Sequence, residues 1–497
     1  MIAAIMIAAI VCVTTIILLM YRGKLILPAR IVWNEKSLPA DGIGTFILKN
    51  RKLFLEKEDG STVALLEDGY MISDFLIYDM DGDGDEELVA LLWKKGRYGK
   101  SSPFWIKDDK SKWSQHIFIF DIRKDNEKIL VSKWGTSDNG REVRRWRVLT
   151  DEENRKFKKN PAINTLLIED VNGEVTLWAW ESWGLKNYDG SVRFVCFGDN
   201  LIHKDILEYG LYKKKGDFGF LYSNFKKDIA GADIAVLNLE SPLVDDPELY
   251  GGYPSFGSPI EVGKAISDVG FDIVNCANNH ILDKGFKGVK TTLDFFDKEG
   301  IVTTGIIKKD KTEDPSGAFK EHQDMGTYEL ITKNGIRIAI FNYTYGVNTD
   351  VAKMFPDKSL EEHPYRICDL SLMNKDEIGE ELREGRNEAD VVIVFAHWGD
   401  EYNTEINEMQ REYAGLFNEC GADVVVGSHP HVLQPFDTIK GKDGHETLVY
   451  YSLGNFRASQ TDGIKREGGE AVFTFTYTFD GIRVADHDLK KFDSYWK

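Results

Sequence analysis

Gly421-Ala422-Asp423-Val424-Val425-Val426-Gly427-Ser428-His429-Pro430-His431 is a β-branched run that stops on a glycine and two histidines. Four other stretches are built the same way. Residues 192–197 run into Gly198-Asp199, 232–237 into Asn238-Leu239-Glu240, 271–276 into Ala277-Asn278-Asn279-His280, and 390–395 into Ala396-His397-Trp398-Gly399. Apolar runs of this length read as buried strands, and layered α/β folds build their sites at the carboxyl ends of such strands. Helical periodicity lies between them, over residues 288–298 and 410–420, where Tyr413, Leu416, Phe417 and Cys420 share a face. Five strand ends in succession predict a layered α/β domain over residues 191–497.

The residues at those ends are Asp199, Glu240, Asn279, His280, His397, His429 and His431. Histidine nitrogens mixed with carboxylate oxygens suit a divalent transition metal, Mn, Zn or Fe, whereas Ca²⁺ or Mg²⁺ takes oxygen alone. Two such ions about 3.5–4 Å apart stabilise both oxygens of an in-line phosphoryl displacement. No cysteine stands in these turns, which removes a thiol nucleophile. His203, four residues after Asp199, fits a place near the metals or a surface role equally. The five cysteines, Cys12, Cys196, Cys276, Cys368 and Cys420, are widely spaced and form no CxxC, so they read as buried small hydrophobes.

The segments Gly198-Asp199, Asn238-Leu239-Glu240, Asn278-Asn279-His280 with Asp283, Gly285 and Gly288, His397-Trp398-Gly399 with Glu401-Tyr402, residues 421–431, and Tyr451-Ser452-Leu453-Gly454-Asn455-Phe456 resemble a known family. Over about residues 191–480 their order and spacing are similar to the bacterial capsule and poly-γ-glutamate synthesis proteins called CapA or PgsA. That family is similar in fold to calcineurin-like metallophosphoesterases. The resemblance implies that Asp199 and His431 hold a first metal, that Asn279, His397 and His429 hold a second, and that Glu240 replaces the bridging aspartate. His280 then faces the leaving group as acid, with Asp199 the other residue at the reacting centre. One departure is Leu201, which stands where a histidine usually follows the first aspartate. The other is Glu240 itself. By residue type and place, Asp283 suits orienting an imidazole, Gly198 and Gly427 suit letting backbone approach the ions, and Asn455 and Arg457 suit contacting an anionic substrate, with Arg457 reading equally as a solvated surface residue.

The resemblance implies a metal-dependent hydrolase-like protein of capsule poly-γ-glutamate synthesis, export or anchoring, acting on a phosphoester or an amide. A non-catalytic polymer-binding or assembly component of the envelope is the alternative. The partners implied are an anionic polymer such as poly-γ-glutamate, the membrane and other capsule-synthesis proteins, with the large domain extracellular. A net charge of −19 and the absence of a dense basic stripe exclude a nucleic-acid binder.

Residues 1–20 carry no charge and are long enough to cross the hydrocarbon core as one helix, so 1–21 reads as a retained single-pass anchor. Arg22, Lys24 and Arg30 follow it, which on the positive-inside rule puts the bulk of the chain in the cytoplasm. Residues 22–190 read as a β-rich domain of short strands and turns, with eight of the eleven tryptophans between Trp93 and Trp183 and a hint of blade-like repeats. Between the strand-like stretches 75–78 and 88–92 lies Asp79-Met80-Asp81-Gly82-Asp83-Gly84-Asp85-Glu86-Glu87. Asp79, Asp81, Asp83 and Glu87 offer carboxylates and Asp85 a backbone carbonyl, a set suited to Ca²⁺. The loop resembles those of integrin-type β-propellers. Without a cation it would repel itself, and Ca²⁺ abundant outside cells argues against the cytoplasmic orientation.

Overall fold

The computed structural model describes residues 27–66, 68–99, 104–106, 109, 112–124, 128–137, 139–157, 163–308, 327–348 and 365–497. The expected membrane helix over 1–21 lies outside the described residues. Among the described residues no helix is long and apolar enough to cross a membrane. The chain divides into two compact units, Met1–Asp189 and Gly190–Lys497.

Among the described residues the first unit holds three antiparallel four-stranded sheets and the helix Asp151–Phe157. The strands are Lys36–Ala40, Gly44–Lys49, Lys52–Glu56 and Thr62–Ala64, then Met71–Tyr78, Glu87–Lys95, Trp113–Ile122 and Leu130–Gly135, then Val143–Val148, Thr165–Asp170, Val175–Glu181 and Gly184–Tyr188. Each sheet is a meander whose strands pair in sequence order. The middle sheet is covered on both faces. Leu88, Ala90 and Leu92 pack with Phe46, Leu48 and Leu55 of the first sheet. Val89, Leu91, Ile117 and Ile119 pack with Trp146, Leu166 and Ile168 of the third. Successive side chains alternate between faces, so a strand covered twice, such as Glu87–Lys95, loses its polar alternation. By contrast Thr62–Ala64 is exposed throughout, as befits an edge strand.

The second unit has two larger sheets. One orders Val302–Thr304, Ile273–Asn275, Ile234–Asn238, Ser191–Asn200, Glu467–Thr478 and Gly481–Asp493, with Asn455–Arg457 also paired to the end of Ser191–Asn200. The other orders Tyr328–Lys333, Ile336–Thr344, Val391–His397, Val424–Ser428, Glu446–Tyr450 and Phe436–Lys440. Both have parallel centres. On the outer face of the first, Val195, Phe197, Ala235 and Leu237 pack under the helices Ile260–Val269 and Gly285–Glu299 through Val262, Ile266, Leu293 and Phe296. On the outer face of the second, Ala339, Phe341, Val392 and Val394 pack under Lys375–Glu388 and Glu408–Glu419 through Ile378, Leu382 and Phe417.

The alternate residues, among them Phe194, Cys196, Val236, Ile340, Ile393 and Phe395, are buried as well. They lie between the sheets, where the Tyr450 and Phe473 rings meet at 6.3 Å and Asn342 Oδ1 accepts the Ala277 N–H at 2.9 Å. The result is an α/β/β/α stack with both sets of parallel strand ends delivered to one place. The four cysteines among the described residues are free and buried.

Candidate metal centre

Six side chains converge where the strands stop. Asp199 closes Ser191–Asn200, Glu240 follows Ile234–Asn238, Asn279 follows Ile273–Asn275, His397 ends Val391–His397, and His429 and His431 follow Val424–Ser428. All six are at most 4% exposed. They fall into two groups, Asp199, Glu240 and His431 in one and Glu240, His397 and His429 in the other, with the ligand atoms of each group within 4.8 Å of one another. Glu240 belongs to both. Asn279 Oδ1 lies 2.8 Å from His397 Nε2, which adds an amide oxygen to the second group.

Surrounding polar groups fix these orientations. His397 Nδ1 lies 2.9 Å from Ser428 Oγ and 3.3 Å from Asn238 Nδ2, so its Nε2 turns toward Glu240 Oε1 at 3.6 Å. Asn238 also donates to Asp199 Oδ1 at 2.7 Å. The His429 backbone N–H donates to Asp199 Oδ2 at 3.1 Å, and His431 Nδ1 lies 3.0 Å from the same oxygen. The turn itself is strained: His429 has φ 97° and His431 φ 58°. Such left-handed conformations cost about 1–3 kcal/mol each and persist where the surroundings enforce them.

A divalent cation fits this donor set. Both oxygens of Glu240 and Nδ1 of His429 are buried without a hydrogen-bond partner, and each such group costs about 1–3 kcal/mol when left unsatisfied. Burial, then the Asp199 charge, push the Glu240 carboxyl well above the usual carboxylate range. Burial, then the neighbouring histidines, hold His397 well below its ordinary value, and burial lowers His429 to about 3. Neutral imidazoles around two buried carboxylates are a set of lone pairs with nothing positive among them.

Residues 193–460 match the family model for the bacterial capsule synthesis protein PGA_cap. The chain belongs to that family. The capsule biosynthesis protein CapA of Bacillus anthracis is 29% identical over 275 residues, covering 54% of this chain and 60% of that protein. The PGA biosynthesis protein CapA of Bacillus subtilis (strain 168) is 28% identical over 318 residues, covering 62% and 74%. The match to the first therefore spans less than two thirds of that relative's length. A solved calcineurin-like phosphoesterase from Bacillus subtilis aligns with 61% of this chain and 91% of its own at 14% identity, with a TM-score of 0.35.

Beside the two groups of this PGA_cap domain stands His280, 5% exposed, its Nδ1 2.7 Å from Asp283 Oδ2. Asp283 also accepts the Phe256 N–H at 2.7 Å, so the carboxylate holding the imidazole is itself held. His280 Nε2 lies 3.4 Å from the Asn348 amide. His203 joins neither group: its Nδ1 is engaged by the backbone, 3.3 Å from the Leu201 carbonyl and 3.3 Å from the Ser459 N–H. The glycines serve the sheets. A Cβ on Gly198 would meet the Gly454 carbonyl at 2.0 Å, and one on Gly427 the Tyr451 carbonyl at 2.0 Å.

Arg457 is a correction. Its guanidinium is buried, donates to the carbonyls of Leu221, Phe456 and Asp493, and lies over the Phe225 ring at 4.6 Å, so it braces the fold and is not a surface anion contact. Asn455 likewise donates inward, to the His431 and Lys465 carbonyls.

Sequence reasoning passed over Asn238, Ser428, Asn348 and Tyr345, whose ring lies 4.5 Å from His429. Asn238 and Ser428 stand at strand ends already singled out. Asn348 and Tyr345 follow Ile336–Thr344, a strand with the same apolar-then-polar form.

In the first unit, Asp79, Asp81 and Glu87 come together as a third group. Asp83 and Asp85 do not join it. Asp83 Oδ1 accepts the Asp85 N–H at 2.9 Å, and the Asp85 side chain is on the exposed rim. Asp79 accepts the N–H groups of Gly82 and Gly84, at 2.7 and 2.9 Å. Lys133, from a strand 46 residues beyond Glu87, places its ammonium 2.6 Å from Asp81, 2.7 Å from Glu87 and 3.4 Å from Asp121. Burial opposes its charge, but the bonds from Asp81 and Glu87 prevail and raise its pKa. The loop thus carries a counter-charge of its own that its local sequence does not reveal.

Proposed function

We propose that this protein is a metal-dependent hydrolase-like component of capsule poly-γ-glutamate synthesis, export or anchoring, acting on a phosphoester or an amide. The observation that carries the reading is Glu240, a buried carboxylate with both oxygens unpartnered, shared by two groups of histidine and carboxylate. Asp199 and His431 would hold one divalent transition metal, His397, His429 and Asn279 the other, and Glu240 both. Such ions supply Lewis-acid polarisation of a phosphoryl or carbonyl oxygen and acidify water. The chain's own part is positional. Asp283 fixes His280 through Nδ1, leaving Nε2 as the atom from which a proton passes to a leaving group. Seclusion of the six side chains from solvent strengthens every charge interaction among them.

One observation favours a second reading, a non-catalytic component that grips carboxylates of the polymer. Leu201 is buried and apolar where a further ligand is usual, and His203 does not compensate. Hydrolysis of a generic phosphodiester by the metal-loaded protein separates the two. Turnover lost in His280→Ala supports catalysis, whereas binding of poly-γ-glutamate without turnover supports the second reading.

The uncharged leader favours a single-pass membrane protein and the acidic loop favours both units outside the cell, where they would meet the polymer and other capsule-synthesis proteins. Protease added to intact cells tests this, since an external chain is digested and an internal one survives. In the first unit the acidic loop is read as a Ca²⁺ site, because one lysine does not balance Asp79, Asp81, Asp83, Glu87 and Asp121.

A further inference from the structure

The strand Ile336–Thr344 ends beside the metal centre yet supplies none of its six side chains. Its last residue, Thr344, pairs opposite His397, and the chain then leaves the sheet. Two backbone bonds fix where it goes. The Tyr345 N–H donates to the His397 carbonyl at 2.8 Å, and three residues later the Asn348 N–H donates to the Asn279 carbonyl at 2.8 Å. Between them the Thr344 hydroxyl donates to the Gly346 carbonyl at 2.9 Å and closes the turn. His397 ends a strand of the second large sheet, whereas Asn279 follows a strand of the first. Residues 345–348 are therefore a short strap, tied at both ends to the backbone of residues in the second group.

Tyr345 carries its ring against both imidazoles of that group. Its centroid is 4.5 Å from that of His429 and 6.3 Å from that of His397, and the second pair is stacked at 16°. The Asn279 side chain is a hydrogen-bond partner of the Tyr345 hydroxyl. One phenol thus meets His397, His429 and Asn279 together, while His431 of the first group lies against the Tyr402 ring at 5.9 Å. The two histidines differ in what orients them. His397 Nδ1 lies within hydrogen-bond distance of Ser428 and Asn238, whereas Nδ1 of His429 has no hydrogen bond. Packing on the ring face is what remains to fix His429. Of the rings around it, Tyr345 at 4.5 Å is nearer than His397 at 4.8 Å or His431 at 5.8 Å.

We infer that Tyr345 is a positioning residue for the second ion, its ring fixing the His429 imidazole and its strap holding His397 and Asn279 at one spacing. The inference rests on the proposed metal centre and adds to it a residue that is not a ligand. Metal sites depend on such outer residues because a ligand free to turn pays for its ordering when the ion binds. Tyr345 is only half-buried, whereas the six side chains are at most 4% exposed, so it also forms part of the cover over the second group. Its action is selective, since the contacts it makes are to members of that group.

Calorimetric titration of the EDTA-stripped full-length protein with Mn²⁺, joined to electron paramagnetic resonance of the loaded protein, tests it. Wild type takes two ions, and a pair about 3.5–4 Å apart gives a magnetically coupled spectrum. Tyr345→Leu binds the first ion as wild type does and the second about 10–100-fold more weakly, the usual worth of an outer residue, so that its spectrum becomes that of an isolated ion. Tyr345→Phe keeps the ring and with it the coupled spectrum. Retention of the first ion by Tyr345→Leu shows that the domain is folded. Unchanged affinity for both ions in Tyr345→Leu, equal weakening of both, or a Tyr345→Phe variant as weak as Tyr345→Leu would overturn the inference and leave the metal centre standing. Fewer than one ion in the wild type would overturn the metal reading and this inference with it.

Discussion

Glu240 sets the terms at the scale of single residues. In the metal-free protein burial and the Asp199 charge oppose ionisation of its carboxyl, whose two oxygens have no partner, so Glu240→Gln removes that cost. In the loaded protein, on the proposed reading, the same change removes a shared ligand. The substitution is therefore expected to raise the melting temperature in EDTA and to lower it in saturating Mn²⁺, relative to wild type, a crossing that scanning fluorimetry reads directly. His280 behaves differently because it belongs to neither group. His280→Ala is expected to leave metal content unchanged and to reduce phosphodiester hydrolysis about 10²–10⁴-fold, the usual worth of a positioned acid. Parallel loss of metal and activity in that variant would mean that His280 acts as a ligand.

At the scale of elements, the strand ends make most of the site legible in the sequence. Each parallel strand is a short apolar run whose last residues leave the sheet at its carboxyl edge, which is why Asp199, Glu240, Asn279, His397, His429 and His431 stand out as polar terminators of apolar runs. Pairings distant in sequence carry no such mark. Lys133 meets Asp81 only because two strands of a meander return to the same edge, and His203 is turned to the backbone by Ser459, from a segment far along the chain. Arg457 reads as a surface cation by residue type, yet its strand Asn455–Arg457 is wholly buried. Ile336–Thr344 gives no amphipathic alternation because both its faces are covered, one by helices and one by the opposing sheet. Two stability predictions belong here. Gly427→Ala forces a Cβ into the Tyr451 carbonyl and is expected to cost about 3 kcal/mol or more, as overpacking does at its upper end. Asn407→Ala removes the capping box at the start of Glu408–Glu419 and is expected to cost about 1 kcal/mol in urea unfolding.

At the scale of the whole molecule, the family match of residues 193–460 lies within the second unit, while the three stacked sheets of the first stand outside it. Each unit gathers acidic side chains, and each does so with different chemistry. The first offers oxygen atoms beside Lys133, and on the proposed reading as a Ca²⁺ site millimolar Ca²⁺ added after EDTA is expected to raise its unfolding midpoint, an effect lost in Asp81→Asn. The second uses imidazole nitrogens, for which Ca²⁺ is a poor partner. Its metal content decides the account as a whole. Mass-spectrometric metal analysis of the purified chain, reconstituted with Mn²⁺ or Zn²⁺ and desalted, is expected to find about two transition-metal ions per chain, falling to one or fewer in His429→Ala. Fewer than one ion in the wild type, or a count unchanged in His429→Ala, would contradict it.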